Sequence, residues 1–184
     1  MRFSSQEHLA TFKATGNFPA IHDSIFNLIV AEAEGNVFCD LGCHFGLLGQ
    51  RLNGKFAGWK AVGIEADFEA IGLGLSCGVS IEMLHCKVDR ESMIDACQFM
   101  KHHGVNVLVC RRILPEIFSH DLHSGETFAK WCRDIGIKQV FIEGRVRTAN
   151  SVNVLDCVEK ECAMFLLPFV LARQTGNLAH LRER

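Results

Sequence analysis

Five short, continuously apolar runs recur along this chain, and segments with helical spacing follow them. The runs are 36–41 (NVFCDL), 60–66 (KAVGIEA), 79–86 (VSIEMLHC), 105–110 (VNVLVC) and 138–143 (KQVFIE). A strand that is apolar on both faces must be covered on both, and regular alternation with helices gives parallel rather than hairpin-linked strands. The helical segments are read at 21–34, 45–52, 68–77, 91–103 and 124–135, with another suggested by Leu155, Val158, Cys162 and Phe165. Pro19 precedes the first, Gly35 follows it, and Gly104 and Gly136 stop two later ones. The end, "PFVLARQTGNLAHLRER", reads as two short strands around Gly176-Asn177, a hairpin signal that would add antiparallel strands at one edge. The expected fold is α/β: a doubly wound, mostly parallel sheet of about seven strands with helices on both faces and a C-terminal antiparallel hairpin.

The 184 residues fit a single domain, divided into an N-terminal helical segment (1–34) and a core (35–184). With a net charge of −2, no broad cationic face is implied, so general nucleic-acid binding is not expected. The nine cysteines are scattered, odd in number and without a CxxC pair, which favours reduced thiols over a disulfide scaffold. The N-terminus lacks the apolar core of a secretory signal. The longest apolar stretch, "AMFLLPFVLA", is too short to span a bilayer and contains Pro168. A cytoplasmic protein without membrane attachment is expected.

In doubly wound sheets ligands sit beyond the carboxyl ends of the strands, so the residues that follow each run carry the functional signal. The first run leads into Asp40-Leu41-Gly42-Cys43-His44-Phe45-Gly46, where Gly42 and Gly46 allow a sharp turn and close approach to a ligand. The second ends at Glu65-Ala66, where a carboxylate can accept both hydroxyls of a ribose. The third is followed by Asp89-Arg90, where an acid can accept the exocyclic amine of adenine. Each has a plainer reading: turn glycines, a solvated loop acid, a helix N-cap at Asp89. Three acids at three successive strand ends, the first just before a glycine turn, point together to a nucleoside site.

These residues resemble the Rossmann-like, class I S-adenosylmethionine-dependent methyltransferases, whose first motif is an acid followed by glycine-x-glycine-x-glycine; here it stands as "DLGCHFG". The resemblance covers about residues 35–182, with His44 in place of the middle glycine. It implies S-adenosylmethionine as cofactor. Asp40 and Gly42 would lie by the methionine part, with His44 and Gly46 lining the turn. His44 has two readings, lining the cofactor's carboxylate end or standing as a loop histidine with no role. Glu65 and Ala66 would hold the ribose, and Asp89 with the Arg90 backbone would read the adenine. A nicotinamide dinucleotide is the rival, but the glycines are spaced GxxxGxxG rather than GxGxxG, and Asp40 suits a cationic amino acid better than a pyrophosphate. The short-chain dehydrogenase pattern is closer but needs a tyrosine, and the chain has none.

On the acceptor side, "CRRILPEI" after the fourth run is not the acid-or-asparagine, Pro-Pro, aromatic motif of DNA amino-methyltransferases. Arg111, Arg112, Arg145 and Arg147 are expected at one rim, where guanidinium groups suit an anionic acceptor unless nearby acids pair with them. Glu116, Glu143, His22 and His120 are candidate bases for an acceptor proton. No metal site is expected, since His102-His103 and His120/His123 lack further ligands in a recognised pattern. The expected activity is methyl transfer to an unidentified acceptor. Alternatives are a protein that binds the cofactor without transfer, as a sensor or regulatory partner, or one that carries out another reaction of the same cofactor.

Overall fold

The structure is a computed structural model and describes residues 5–88, 93–111, 124–145 and 169–174. Helix α1 (Ser5–Thr15) leads through a short 3-10 turn (Ala20–His22) into α2 (Asp23–Glu32). Then follow β1 (Val37–Leu41), α3 (Leu47–Leu52), β2 (Lys60–Glu65), α4 (Phe68–Ser76), β3 (Glu82–His85), α5 (Met93–His102) and β4 (Val107–Arg111). Helix α6 (Ser124–Ile135) and strands β5 (Gln139–Arg145) and β6 (Phe169–Gln174) complete the described elements. The six strands form one sheet in the order β3-β2-β1-β4-β5-β6, and every pairing is parallel.

The five strands and the helices between them lie where the hydrophobic pattern puts them, with three differences. Helix α1 escapes pattern reading because it is mostly polar, with Leu9 buried and Phe12 only partly so. In the third run only Glu82–His85 pairs as a strand, while Val79 and Ile81 are buried in the cluster beneath α3 and α4. The expected C-terminal hairpin is corrected at its first arm: β6 pairs parallel with β5, from Val140↔Phe169 to Arg145↔Gln174. A Gly-Asn pair marks a hairpin only when its flanks pair with each other. Here the first flank joins the sheet in the direction a crossover from β5 dictates. The second arm and the helix read near 155–165 lie outside the described residues.

Side chains alternate along each strand, so the sheet carries two cores. Cys39, Leu41, Val62, Ile64, Leu108, Cys110, Val140 and Ile142 face α5 and α6. Phe38, Ala61, Val107, Val109 and Phe141 face α2, α3 and α4. Polar clamps close the amino-terminal edge: Asn106 Oδ1 accepts from the Asn36 and Val37 amides, and Gln139 bridges Glu34 N and Glu32 O. Arg51 ties α3 to α2 by its 2.6 Å pair with Asp23 and its position 3.9 Å from the Phe26 ring centroid.

Helix α4 starts at Asp67, whose carboxylate accepts from the Glu69 and Ala70 amides and caps two of the helix's free donors. Its two inner glycines face different surroundings. A Cβ on Gly74 would strike the Phe45 carbonyl, so this glycine lets α4 lie directly against the turn after β1. A Cβ on Gly72 would meet open space. The same substitution should therefore have opposite signs two residues apart. Gly74→Ala is expected to destabilise the fold by about 2 kcal/mol through overpacking. Gly72→Ala should stabilise it by about 0.5–1 kcal/mol through helix propensity. Urea denaturation of the two variants beside the wild type checks both.

Candidate functional site

The strand order reverses between β1 and β4, and a crevice opens there beyond their carboxyl ends. Register decides which side chains reach it. Asp40 is aligned with Gly63 on one side and Val109 on the other, on the face shared by Phe38. Two residues further along the same face stand Glu65 on β2 and Arg111 on β4, the latter aligned with Glu143 of β5. The absence of a side chain at Gly63 leaves room for Cys43 beneath the turn. Asp40, Gly42, Cys43, His44, Phe45 and Arg111 border a hollow of about 190 Å³, closed from the N-terminal side by His8, Pro19, Ile21 and His22.

The turn after β1 winds through three left-handed residues, Gly42 (φ 73°), His44 (φ 53°) and Gly46 (φ 75°). His44 thus takes the backbone conformation that a glycine would adopt with less strain. Its ring lies tilted against Phe45, with 3.8 Å between centroids, and desolvation there holds the imidazole below its ordinary pKa against the pull of Glu65 and Asp67. The backbone is anchored from β2: the Gly42 and Cys43 amides donate to the Ile64 carbonyl, and the His44 amide donates to Glu65 Oε2 at 2.6 Å. Glu65 Oε1 accepts from the Ala66 and Asp67 amides at 2.8 and 2.9 Å. The carboxylate at the end of β2 therefore joins two loops.

Asp40 is the site's electrostatic centre. It is 3% exposed, and its Oδ1 has no hydrogen-bond partner among the described residues. Burial pushes its pKa up to about 7; Arg111 opposes the shift, and Glu65 and Glu143 reinforce it. Arg111 donates from Nε to Glu143 Oε2 at 2.6 Å and from Nη2 to the Ile21 carbonyl at 3.4 Å. Glu143 is 1% exposed, so it serves as a buried counter-ion rather than a solvent-facing base. Burial also pushes the Cys39 and Cys43 thiols far up, which removes them as nucleophiles at neutral pH.

Of the residues singled out in the sequence, Asp40, Gly42, His44, Gly46, Glu65, Ala66 and Arg111 stand at the ends of the central strands, with Glu143 behind Arg111 and His22 across the hollow. Arg145 ends β5. Asp89, Arg90, Arg112, Glu116, His120 and Arg147 lie outside the described residues. One further residue escaped the sequence reading. Phe68, at the start of α4, is 68% exposed and meets the His85 ring edge-on at 5.4 Å, while His85 Nε2 donates to the Ala66 carbonyl. An aromatic three residues beyond the ribose-type acid was the available signal. A wider, open hollow of about 600 Å³ lies between β3 and α5, away from the strand reversal. No helix among the described residues is long and apolar enough to cross a membrane.

No protein-family model and no curated protein sequence matches the chain. Among solved structures it is similar to the Citrobacter sp. triphenylmethane reductase complexed with NADP(H), at 15% identity and TM-score 0.50 over 74% of this chain and 48% of that one. It is similar also to the yeast methylglyoxal/isovaleraldehyde reductase Gre2 complexed with NADPH, at 9% identity and TM-score 0.52 over 74% and 53%. The plantazolicin methyltransferase BamL, solved with SAH, aligns at 18% identity and TM-score 0.38 over 70% and 42%. The chain spans about half the length of the two reductases. Together with the strand order, the likenesses to the two reductases define the fold as Rossmann-like.

The raised pKa of Asp40 makes a stability statement. Its carboxyl titrates near 3.8 when unfolded and near 7 when folded, so the folded state binds the proton more tightly. That contribution is fully present below pH 4 and is lost as pH rises through 7. Relative to Asp40→Asn, which is neutral throughout, the ligand-free wild type should lose on the order of 4 kcal/mol between pH 4 and pH 8. Chemical denaturation of both proteins across that range checks it, and parallel curves would mean that Asp40 is well solvated.

Proposed function

We propose that the chain binds S-adenosylmethionine across the ends of β1 and β2 and transfers its methyl group to an acceptor. One observation carries the reading: a buried carboxylate oxygen with no hydrogen-bond partner among the described residues, at the crevice where a Rossmann-like sheet holds its ligand. Asp40, Glu65 and Glu143 outnumber Arg111 there, so the crevice favours a cation. The ammonium and sulfonium of S-adenosylmethionine supply that charge, whereas a pyrophosphate would bring two more negative charges towards Asp40.

The residues fit the group. Asp40 would accept from the ammonium. Glu65 Oε2 takes one backbone bond and retains acceptor capacity for a ribose hydroxyl. Phe68 offers an exposed ring for the adenine, with Asp89 and Arg90 on its polar edge by the family resemblance. The bound cofactor supplies an already activated methyl carbon, so the protein's part is positioning and exclusion of water. His22, at the hollow's wall, is the acceptor base favoured by position, with Glu116 and His120 as further candidates.

A second reading is an adenine dinucleotide, favoured by the all-parallel order β3-β2-β1-β4-β5-β6 and by the likeness to reductases solved with NADP(H). Glu65 would suit a ribose 2′-hydroxyl and repel a 2′-phosphate, so NAD fits better than NADP. Titration calorimetry separates the readings. S-adenosylmethionine and S-adenosylhomocysteine should bind, with affinity falling up to about tenfold per pH unit below 7 as Asp40 takes up its proton. Glu65→Ala should cost about 10–100-fold, and Phe68→Ala about tenfold. Binding of NAD with no response to either sulfur nucleoside would transfer the site to the dinucleotide reading. Binding without label transfer from methyl-labelled cofactor to any supplied acceptor would leave a sensor.

A further inference from the structure

Asp40 and Arg111 border the same hollow with opposite charges, yet no hydrogen bond joins them. What keeps them apart is visible. The Nε edge of Arg111 is taken by buried Glu143, and an Nη2 donor is turned to the Ile21 carbonyl of the N-terminal wall. The guanidinium carries five N–H donors, so others, including those of Nη1, have no partner among the described residues. A carboxylate oxygen without a partner among those residues and a partly used guanidinium are thereby fixed on one small hollow.

We propose that this hollow is a zwitterion grip for the α-amino-acid end of the ligand, with Asp40 taking the ammonium and Arg111 the carboxylate, and that Arg111 is the specificity residue. The inference rests on the S-adenosylmethionine reading and gives Arg111 to the cofactor rather than to an anionic acceptor. Size supports it. Pockets that enclose whole drug-sized ligands run to roughly 300–1,000 Å³. A volume near 190 Å³ fits the amino-acid end, with the nucleoside continuing towards Glu65 and Phe68. Charge supports it too. An α-amino acid carries both signs on adjacent groups, and a ligand with only an ammonium would leave the guanidinium donors unmatched and face its positive charge.

The test compares S-adenosylmethionine with its decarboxylated form, which keeps the sulfonium, ammonium and nucleoside and lacks only the carboxylate. The wild type should prefer the carboxylated ligand by about 30-fold or more, as a charge-assisted bidentate contact implies. Arg111→Met combined with Glu143→Gln removes the guanidinium without stranding the buried Glu143 carboxylate. Measured at pH 9, where Asp40 is ionised, it should bring the two affinities within about threefold by weakening the carboxylated ligand. A wild-type ratio near one overturns the proposal even if the double variant does not fold. So does a double variant that weakens both ligands equally. Failure of the wild type to bind either nucleoside overturns the cofactor reading itself.

Discussion

Glu65 accepts three backbone amides, from His44, Ala66 and Asp67, and so fastens the turn after β1 to the start of α4. The rest of the site depends on that junction. It holds His44 in a left-handed conformation, it lets the Gly42 and Cys43 amides reach the Ile64 carbonyl, and it brings Asp67 to where it caps α4. Helix α4 then packs on the turn at Gly74, against the Phe45 carbonyl. A side chain in the middle of a glycine turn would ordinarily loosen it; here the conformation is stabilised by a charge-assisted bond from the neighbouring strand.

The second constraint is an excess of negative charge, two of its three carboxylates buried. Glu65 and Glu143, at the ends of β2 and β5, both act on Asp40 of β1, and Arg111 opposes them. Only Glu143 receives the guanidinium directly. Asp40 is left desolvated, with its pKa pushed well above the ordinary carboxylate range. Such an arrangement is poor for the free fold and good for a cationic ligand, because the ligand's charge restores what burial removed. On the proposed reading, stability and binding are coupled through one carboxyl group: the group that weakens the free protein would be the one that selects its ligand.

Much of this was legible in the residues. Continuously apolar runs separated by helical spacing specify a parallel, doubly wound sheet, and strand ends can be counted once runs are assigned. What could not be read is what depends on pairing. The common face of Asp40, Glu65 and Arg111 follows from register between strands distant in sequence. The Arg111–Glu143 pair follows from the adjacency of β4 and β5 at that register, which turns an expected base into a counter-ion. The direction of β6 was misjudged for a related reason. The local Gly-Asn signal says how a chain can turn, while the free edge of β5 decides which strand it meets. Helix α1 has too weak an apolar stripe to announce itself, yet it brings His8 to the wall of the hollow.

Strand order and site chemistry then pull in different directions, and their physical scope decides between them. The order β3-β2-β1-β4-β5-β6 fixes where a ligand can lie, because any such sheet opens its crevice at the reversal between β1 and β4. It says nothing about the sign of the ligand's charge, and likenesses at 9 and 15% identity carry no more than the order does. The sign is set by side chains within a few ångströms of the turn, in a medium where each uncompensated charge is costly. A phosphate-binding turn presents backbone amides and a helix N-terminus to its ligand. Here the amides of Gly42, Cys43 and His44 are already spent on Ile64 and Glu65, α3 is only six residues long, and the nearest buried charge is a carboxylate. On the reading proposed above, the same scaffold position that elsewhere receives an anion is suited in this chain to a cation.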